Sequence, residues 1–201
     1  MVSYEEIYVT LIQRDKFMKI LAFAGSLREG SLNHQLAEII ASKLKNLDVE
    51  VDLAKFRDFQ MPLFDGDLET ATGIPDGTKK MADRISASDG VVIVSPEYNH
   101  GVPGPLKNSI DWLSRIRPYP TAGKVCFLAS AAPSFVGGAR GLIAIRPTLS
   151  LMGMWLSGES FSLAQANKEM VDGKILNDEL NQMLNGMLER FARVTASISV
   201  K

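Results

Sequence analysis

A chain of 201 residues, 46% hydrophobic and 22% charged, is long enough to form one domain with a proper core. Its formal net charge of −1 gives no electrostatic reason to expect nucleic acid or an anionic membrane as partner. The single cysteine, Cys126, excludes a disulfide framework, and two histidines with no Cys/His ligand spacing give no basis for a metal site. No apolar stretch reaches the roughly 18 to 20 residues of a spanning helix.

Residues 1–17 carry Glu5 and Glu6 and lack a basic stretch or a small-residue cleavage pattern, so no secretory signal is expected and a cytoplasmic location follows. Met18-Lys19-Ile20-Leu21 is a natural start for a first strand. Residues 1–17 therefore read as an N-terminal extension, an added arm or the product of an upstream start codon, ahead of one domain over 18–201.

From Met18 the chain alternates β-type runs with helical patterns. Ile20 to Ala24 is the first strand. Leu32, Leu36, Ile39, Ile40, Leu44 and Leu47 recur at three- and four-residue spacing, the stripe of a helix. Val49 to Leu53 alternates as a strand near an edge, and Thr78 to Ser88 is a helix with Met81 and Ile85 on one side. Gly90-Val91-Val92-Ile93-Val94 is a continuous branched run, the mark of a strand buried on both faces of a parallel sheet. Pro105 to Leu113 reads as a helix with proline at its first position. Val125 to Ala129 is the fourth strand, Ala139 to Met152 a helix that Pro147 kinks or begins, and Met154 to Leu156 starts the fifth strand. A last helix carries Leu180, Met183, Leu184, Met187, Leu188, Phe191 and Val194 on one stripe. The expectation is one open, doubly wound α/β domain.

In such sheets ligands sit outside the carboxyl ends of the strands, near the switch in strand order. Three loops there carry chemistry. Gly25 to Asn33 follows a strand and opens a helix; Ser26, Ser31, Asn33, Arg28 and the helix N-terminus together suit a phosphate. It is not a P-loop, since no lysine precedes Ser31, and no G-x-G-x-x-G is present. Pro96 to Pro105 holds three prolines and two glycines around Tyr98 and Asn99, a stiffened backbone suited to reading the edge of a planar heteroaromatic ligand. Ser130 to Gly138 is rich in small residues and lets backbone approach a ligand closely. Each loop alone is also explained as an ordinary turn; their coincidence at one edge is what points to a site. His34 reads as a solvent-facing or capping residue, while His100 lies in the second loop within reach of a substrate. Glu97 reads as a general acid or, more readily, as the partner of a basic side chain, within the chain or across a subunit interface. Ser134 has no His/Asp pattern to make it a nucleophile.

The segments Gly-Ser-Leu-Arg-x-Gly-Ser-x-Asn from Gly25 and Pro-Glu-Tyr-Asn-His-Gly-x-Pro-Gly-x-Leu-Lys-Asn-x-Ile-Asp-Trp over Pro96 to Trp112 resemble the two signatures of the NADPH-dependent FMN reductases. That family includes proteins acting on quinones, chromate and azo dyes. The resemblance implies a flavodoxin-like fold with strand order 2-1-3-4-5, one FMN per subunit and a homodimer or homotetramer. It places Ser26, Arg28, Ser31 and Asn33 at the FMN phosphate, and Pro96, Glu97, Tyr98 and Asn99 along the ribityl chain and ring. Ser134, Gly137 and Gly138 border the flavin, the loosest part of the match because of Ala131-Ala132. The implied activity passes a hydride from NADPH or NADH to flavin and then electrons to a small acceptor, with no catalytic dyad or metal required of the protein. Two rivals remain: a flavodoxin-type FMN electron carrier that does not oxidise NAD(P)H, and a non-enzymatic flavin-binding regulator. Carriers of the first kind tend to be acidic, which this chain is not.

Overall fold

The computed structural model describes residues 18–199. The extension over 1–17 lies outside the described residues. The elements run β1 (Lys19–Ala24), α1 (Leu32–Lys45), β2 (Glu50–Ala54), a 3-10 turn (Phe56–Asp58), α2 (Gly66–Thr72), α3 (Asp76–Ser86), β3 (Gly90–Val94), α4 (Gly104–Leu113), β4 (Val125–Ala131), α5 (Ala139–Leu151), β5 (Trp155–Leu163), α6 (Ala166–Glu169), the short pair β6 (Met170–Val171) and β7 (Lys174–Ile175), and α7 (Asp178–Ile198). The main sheet is parallel with order β2-β1-β3-β4-β5, as the family resemblance implied.

The burial pattern explains the strand sequences. β3 and β4 are buried at every position, which is why they read as unbroken apolar runs. β2 is an edge strand, with Glu50 and Leu53 exposed and Val51 and Asp52 half-buried, the Asp52 carboxylate held by Arg84. Ile20, Ala22, Val92, Val94 and Phe127 pack one face of the sheet under α1 and α7 through Leu36, Ile40, Leu44, Leu184, Leu188 and Phe191. Leu21, Phe23, Val91, Ile93, Cys126 and Leu128 pack the other under α3, α4 and α5 through Met81, Ile85, Leu106, Ile110, Leu142 and Ile145. Burial pushes the Cys126 thiol up to about 12, so it is the inert thiol expected.

Several local expectations change. β5 runs through to Leu163, and its register against β4 jumps between Cys126 and Leu128, so Ser157-Gly158-Glu159 bulges out of the edge. Pro147 neither begins α5 nor ends it, because the helix starts at Ala139 and passes through. Pro147 has no N–H to offer the Ile143 carbonyl one turn back, and Ile143 is itself exposed. On α7, Met183 and Val194 face outward; the buried line is Leu184, Leu188, Phe191 and Thr195. Leu47 lies past the helix it was assigned to and is exposed.

Candidate active site at the strand-order switch

The sheet reverses order between β1 and β3, whose ends pair as Ala24 with Val94. The first loop leaves β1 and the second leaves β3, so they diverge side by side at the place where a ligand crevice forms. Gly25 starts the first loop with its N–H on the Val94 carbonyl at 2.9 Å. A Cβ there would stand 2.9 Å from a Leu106 methyl, so α4 packs directly against it.

Ser31 caps α1: its Oγ accepts from the Asn33 N–H at 3.2 Å. The Ser26 Oγ likewise accepts from the Arg28 N–H at 3.3 Å. Both hydroxyls use a lone pair inward and keep their proton for an outside acceptor. The N–H groups of Leu27, Glu29, Gly30, Ser31 and Leu32 have no acceptor among the described residues, and no acidic residue sits in the first turn of α1. The Arg28 guanidinium is exposed and has no partner among the described residues. Free donors, an exposed cation and a helix N-terminus are the groups that suit an anion. His34 is tied to the loop: its Nε2 donates to the Ser26 carbonyl at 2.8 Å.

Asn33 does more than the sequence suggested. Its Nδ2 donates to the Ala131 carbonyl and its Oδ1 accepts from the Ala131 N–H, both at 2.9 Å. The last bond from β3 to β4 is Ser95 N–H to the Ala129 carbonyl, after which Pro96 turns the chain away. The Asn33 amide takes the place of the peptide that β3 no longer offers. It ties the first loop to the start of the third and keeps one amide hydrogen unspent.

The second loop forms a tight turn. Tyr98 and Gly101 exchange N–H to carbonyl bonds of 3.2 and 3.0 Å, with Asn99 (φ 50) and His100 (φ 64) both left-handed between them. Two central residues at positive φ are the pattern of a type I′ turn. Pro96 is buried, while Tyr98 is 48% exposed and presents its ring outward. Glu97 meets groups of its own chain: its Oε2 accepts from the Gly141 N–H at 2.9 Å, and its Oε1 is 3.3 Å from His100 Nδ1. The rest of the second signature is architectural. Asn108 Nδ2 and Trp112 Nε1 both donate to the Pro62 carbonyl at 2.8 Å, and Asn108 Oδ1 accepts from the Phe64 N–H.

In the third loop Gly137 (φ 64) and Gly138 (φ 89) are left-handed and buried. A Cβ on Gly138 would fall 1.9 Å from Ser130 Oγ, itself a buried hydroxyl without a partner. A Cβ on Gly137 would meet the backbone of Leu163 and Ala164 at 2.8 Å. Ser134 sits exposed at the outer rim, where its carbonyl accepts from Gln165 at 3.1 Å. The residues that sequence reasoning missed are Arg140 and Gly141, which meet the second loop from α5; only their adjacency to the third loop signalled them.

The model of the NADPH-dependent FMN reductase family matches residues 18–168. A quinone reductase of Escherichia coli (strain K12) is 32% identical over 91% of this chain and 98% of its own. An NAD(P)H:quinone oxidoreductase of Solanum tuberosum is 31% identical over 85% of this chain and 89% of its own. Among solved structures, the flavoenzyme NAD(P)H:(acceptor) oxidoreductase FerB of Paracoccus denitrificans superposes with a TM-score of 0.76 at 24% identity, covering 90% of this chain and 98% of that one; this likeness speaks to the fold. The chain belongs to the family of NADPH-dependent FMN reductases and is an FMN-dependent oxidoreductase.

Proposed function

We propose that the protein oxidises NAD(P)H and reduces a small acceptor such as a quinone, holding the FMN phosphate in the first loop and the flavin ring between the second and third. The observation that carries this reading is the pairing, at one switch point, of a donor-rich anion site with a rigid aromatic-bearing turn.

The residues fit the cofactor. The Arg28 guanidinium, the free protons of Ser26 and Ser31, the spare Asn33 hydrogen and the unpaired N–H groups at α1 hold the phosphate. Pro96, Asn99 and the backbone of Glu97 line the ribityl chain and ring edge, with Tyr98 beside its face. Gly137 and Gly138 let the third loop pack tightly on Ser130 and on the backbone of Leu163 and Ala164, which sets the opposite wall, and Ser134 closes its rim. Bound FMN supplies the redox chemistry, accepting a hydride and releasing electrons to an acceptor. The protein's own work is to orient the cofactor and to leave one face open. Metal oxyanions, azo compounds and free flavin are acceptors of the same kind. The protein acts in the cytoplasm as a homodimer or homotetramer; Ile143, Leu151 and Trp155, at 68, 81 and 61% exposed, are apolar side chains available to that association. Among the described residues no helix is long and apolar enough to cross a membrane.

The test compares NADPH oxidation by apo and FMN-loaded protein with a benzoquinone acceptor. Turnover that needs both FMN and protein is expected. A loaded protein no faster than free FMN would remove the reductase reading and leave the electron carrier.

A further inference from the structure

We propose that Glu97 is a positioning residue whose carboxylate fastens the second loop to the first turn of α5 and so sets the Tyr98–Gly101 turn against the third loop. This rests on the FMN reading above, because the two loops it joins are those assigned to the flavin ring.

Helix α5 begins at Ala139, and its N-cap residue, Gly138, has no side chain to cap it. A helix start leaves orphaned N–H groups, and an N-cap side chain ordinarily satisfies the one at the third helical position. Here that position is Gly141, and Glu97 Oε2, arriving from the end of a different strand, accepts from it at 2.9 Å. The carboxylate also meets the positive end of the helix dipole. The fit is close on both sides: a Cβ on Gly141 would stand 3.3 Å from the Glu97 Cα and Cβ and 3.2 Å from the Gly101 carbonyl. The Glu97 side chain is only 12% exposed, so water competes weakly for the bond.

The second oxygen extends the joint. Glu97 Oε1 lies 3.3 Å from His100 Nδ1, and the Arg140 guanidinium lies 2.9 Å from that same nitrogen. Nδ1 serves one of them at a time, accepting from Arg140 when neutral and donating to Glu97 when protonated. In either state the turn and the helix remain joined. The turn needs such support: Asn99 and His100 hold left-handed backbone without being glycine, a conformation that persists only where surroundings fix it.

The experiment reads two quantities: amide hydrogen exchange in the apo protein at Gly141, Tyr98 and Gly101, and FMN affinity by fluorescence titration. Glu97→Ala is expected to speed exchange at all three amides and to weaken FMN binding, each about tenfold. Glu97→Gln, whose amide oxygen still accepts from Gly141, recovers most of both. Should Glu97→Ala fail to fold, Arg140→Ala serves: faster exchange at Tyr98 and Gly101 with Gly141 protected is expected. Acceleration at Gly141 alone in Glu97→Ala, a Glu97→Gln as impaired as the alanine variant, or an Arg140→Ala with no effect on the turn would overturn the proposal. A wild-type protein that binds no FMN would instead overturn the cofactor reading, and the apo exchange data would still decide the role of Glu97.

Discussion

Replacing Asn33 by alanine removes the side chain that completes the end of β4. Two bonds of 2.9 Å are lost, and the Ala131 N–H and carbonyl are left without partners at a residue 3% exposed. Each stranded buried group costs about 1 to 3 kcal/mol, a figure that already contains the lost bond. For the two groups a destabilisation of about 2 to 6 kcal/mol follows, a large share of the roughly 5 to 15 kcal/mol that holds a domain folded. Urea unfolding of the apo protein measures it, with the midpoint moving and the slope unchanged. Asn33→Asp is the control for volume. One aspartate oxygen still accepts from the Ala131 N–H, but the other opposes the Ala131 carbonyl, so the aspartate variant should be no more stable than alanine. If Asn33→Ala lay within about 0.5 kcal/mol of wild type, the idea that this amide replaces a missing strand peptide would be wrong.

Arg28→Ala should weaken FMN binding by about 1.5 to 3 kcal/mol, the range for a hydrogen bond to a charged group, while urea stability stays unchanged because the guanidinium is exposed and unpaired; equal FMN affinity would move the phosphate elsewhere. Ser130→Ala should raise the melting temperature of the apo protein, since its buried hydroxyl has no partner, and should relieve part of the loss caused by Gly138→Ala, whose Cβ would fall 1.9 Å from that oxygen; additive effects in the double mutant would refute the contact. Cys126, its thiol pushed up to about 12 by burial, should resist a thiol reagent at pH 8 until the chain unfolds. The sign for stability follows from the same shift. The native state disfavours the thiolate, so this contribution is intact below about pH 9 and declines as pH rises toward 12, which urea midpoints between pH 8 and 10.5 would show.

The sheet was legible because its central strands are buried on both faces and so carry unbroken runs such as Gly90 to Val94. The first loop and the helix it opens were legible because the stripe from Leu36 to Leu44 is a local signal. What escaped depends on distance. Asn33 meets Ala131 across 98 positions, and no pattern near Asn33 announces that one of its hydrogen-bonding edges is already used. The Glu97 bond to Gly141 spans 44 positions, so the sequence showed a carboxylate in need of a partner and not that the partner was a backbone N–H. β5 read as short because its bulge interrupts the alternation with Gly158 and Glu159. On α7 the apolar stripe is wider than the groove that receives it, which leaves Met183 and Val194 outside.

The central claim is that this crevice brings NAD(P)H to a bound flavin. The most direct measurement is the visible spectrum of the FMN-loaded protein without oxygen, before and after NADPH is added. The account predicts that the flavin bands bleach rapidly and return when a quinone is supplied. A protein that holds FMN in the crevice and keeps its oxidised spectrum in NADPH would contradict it.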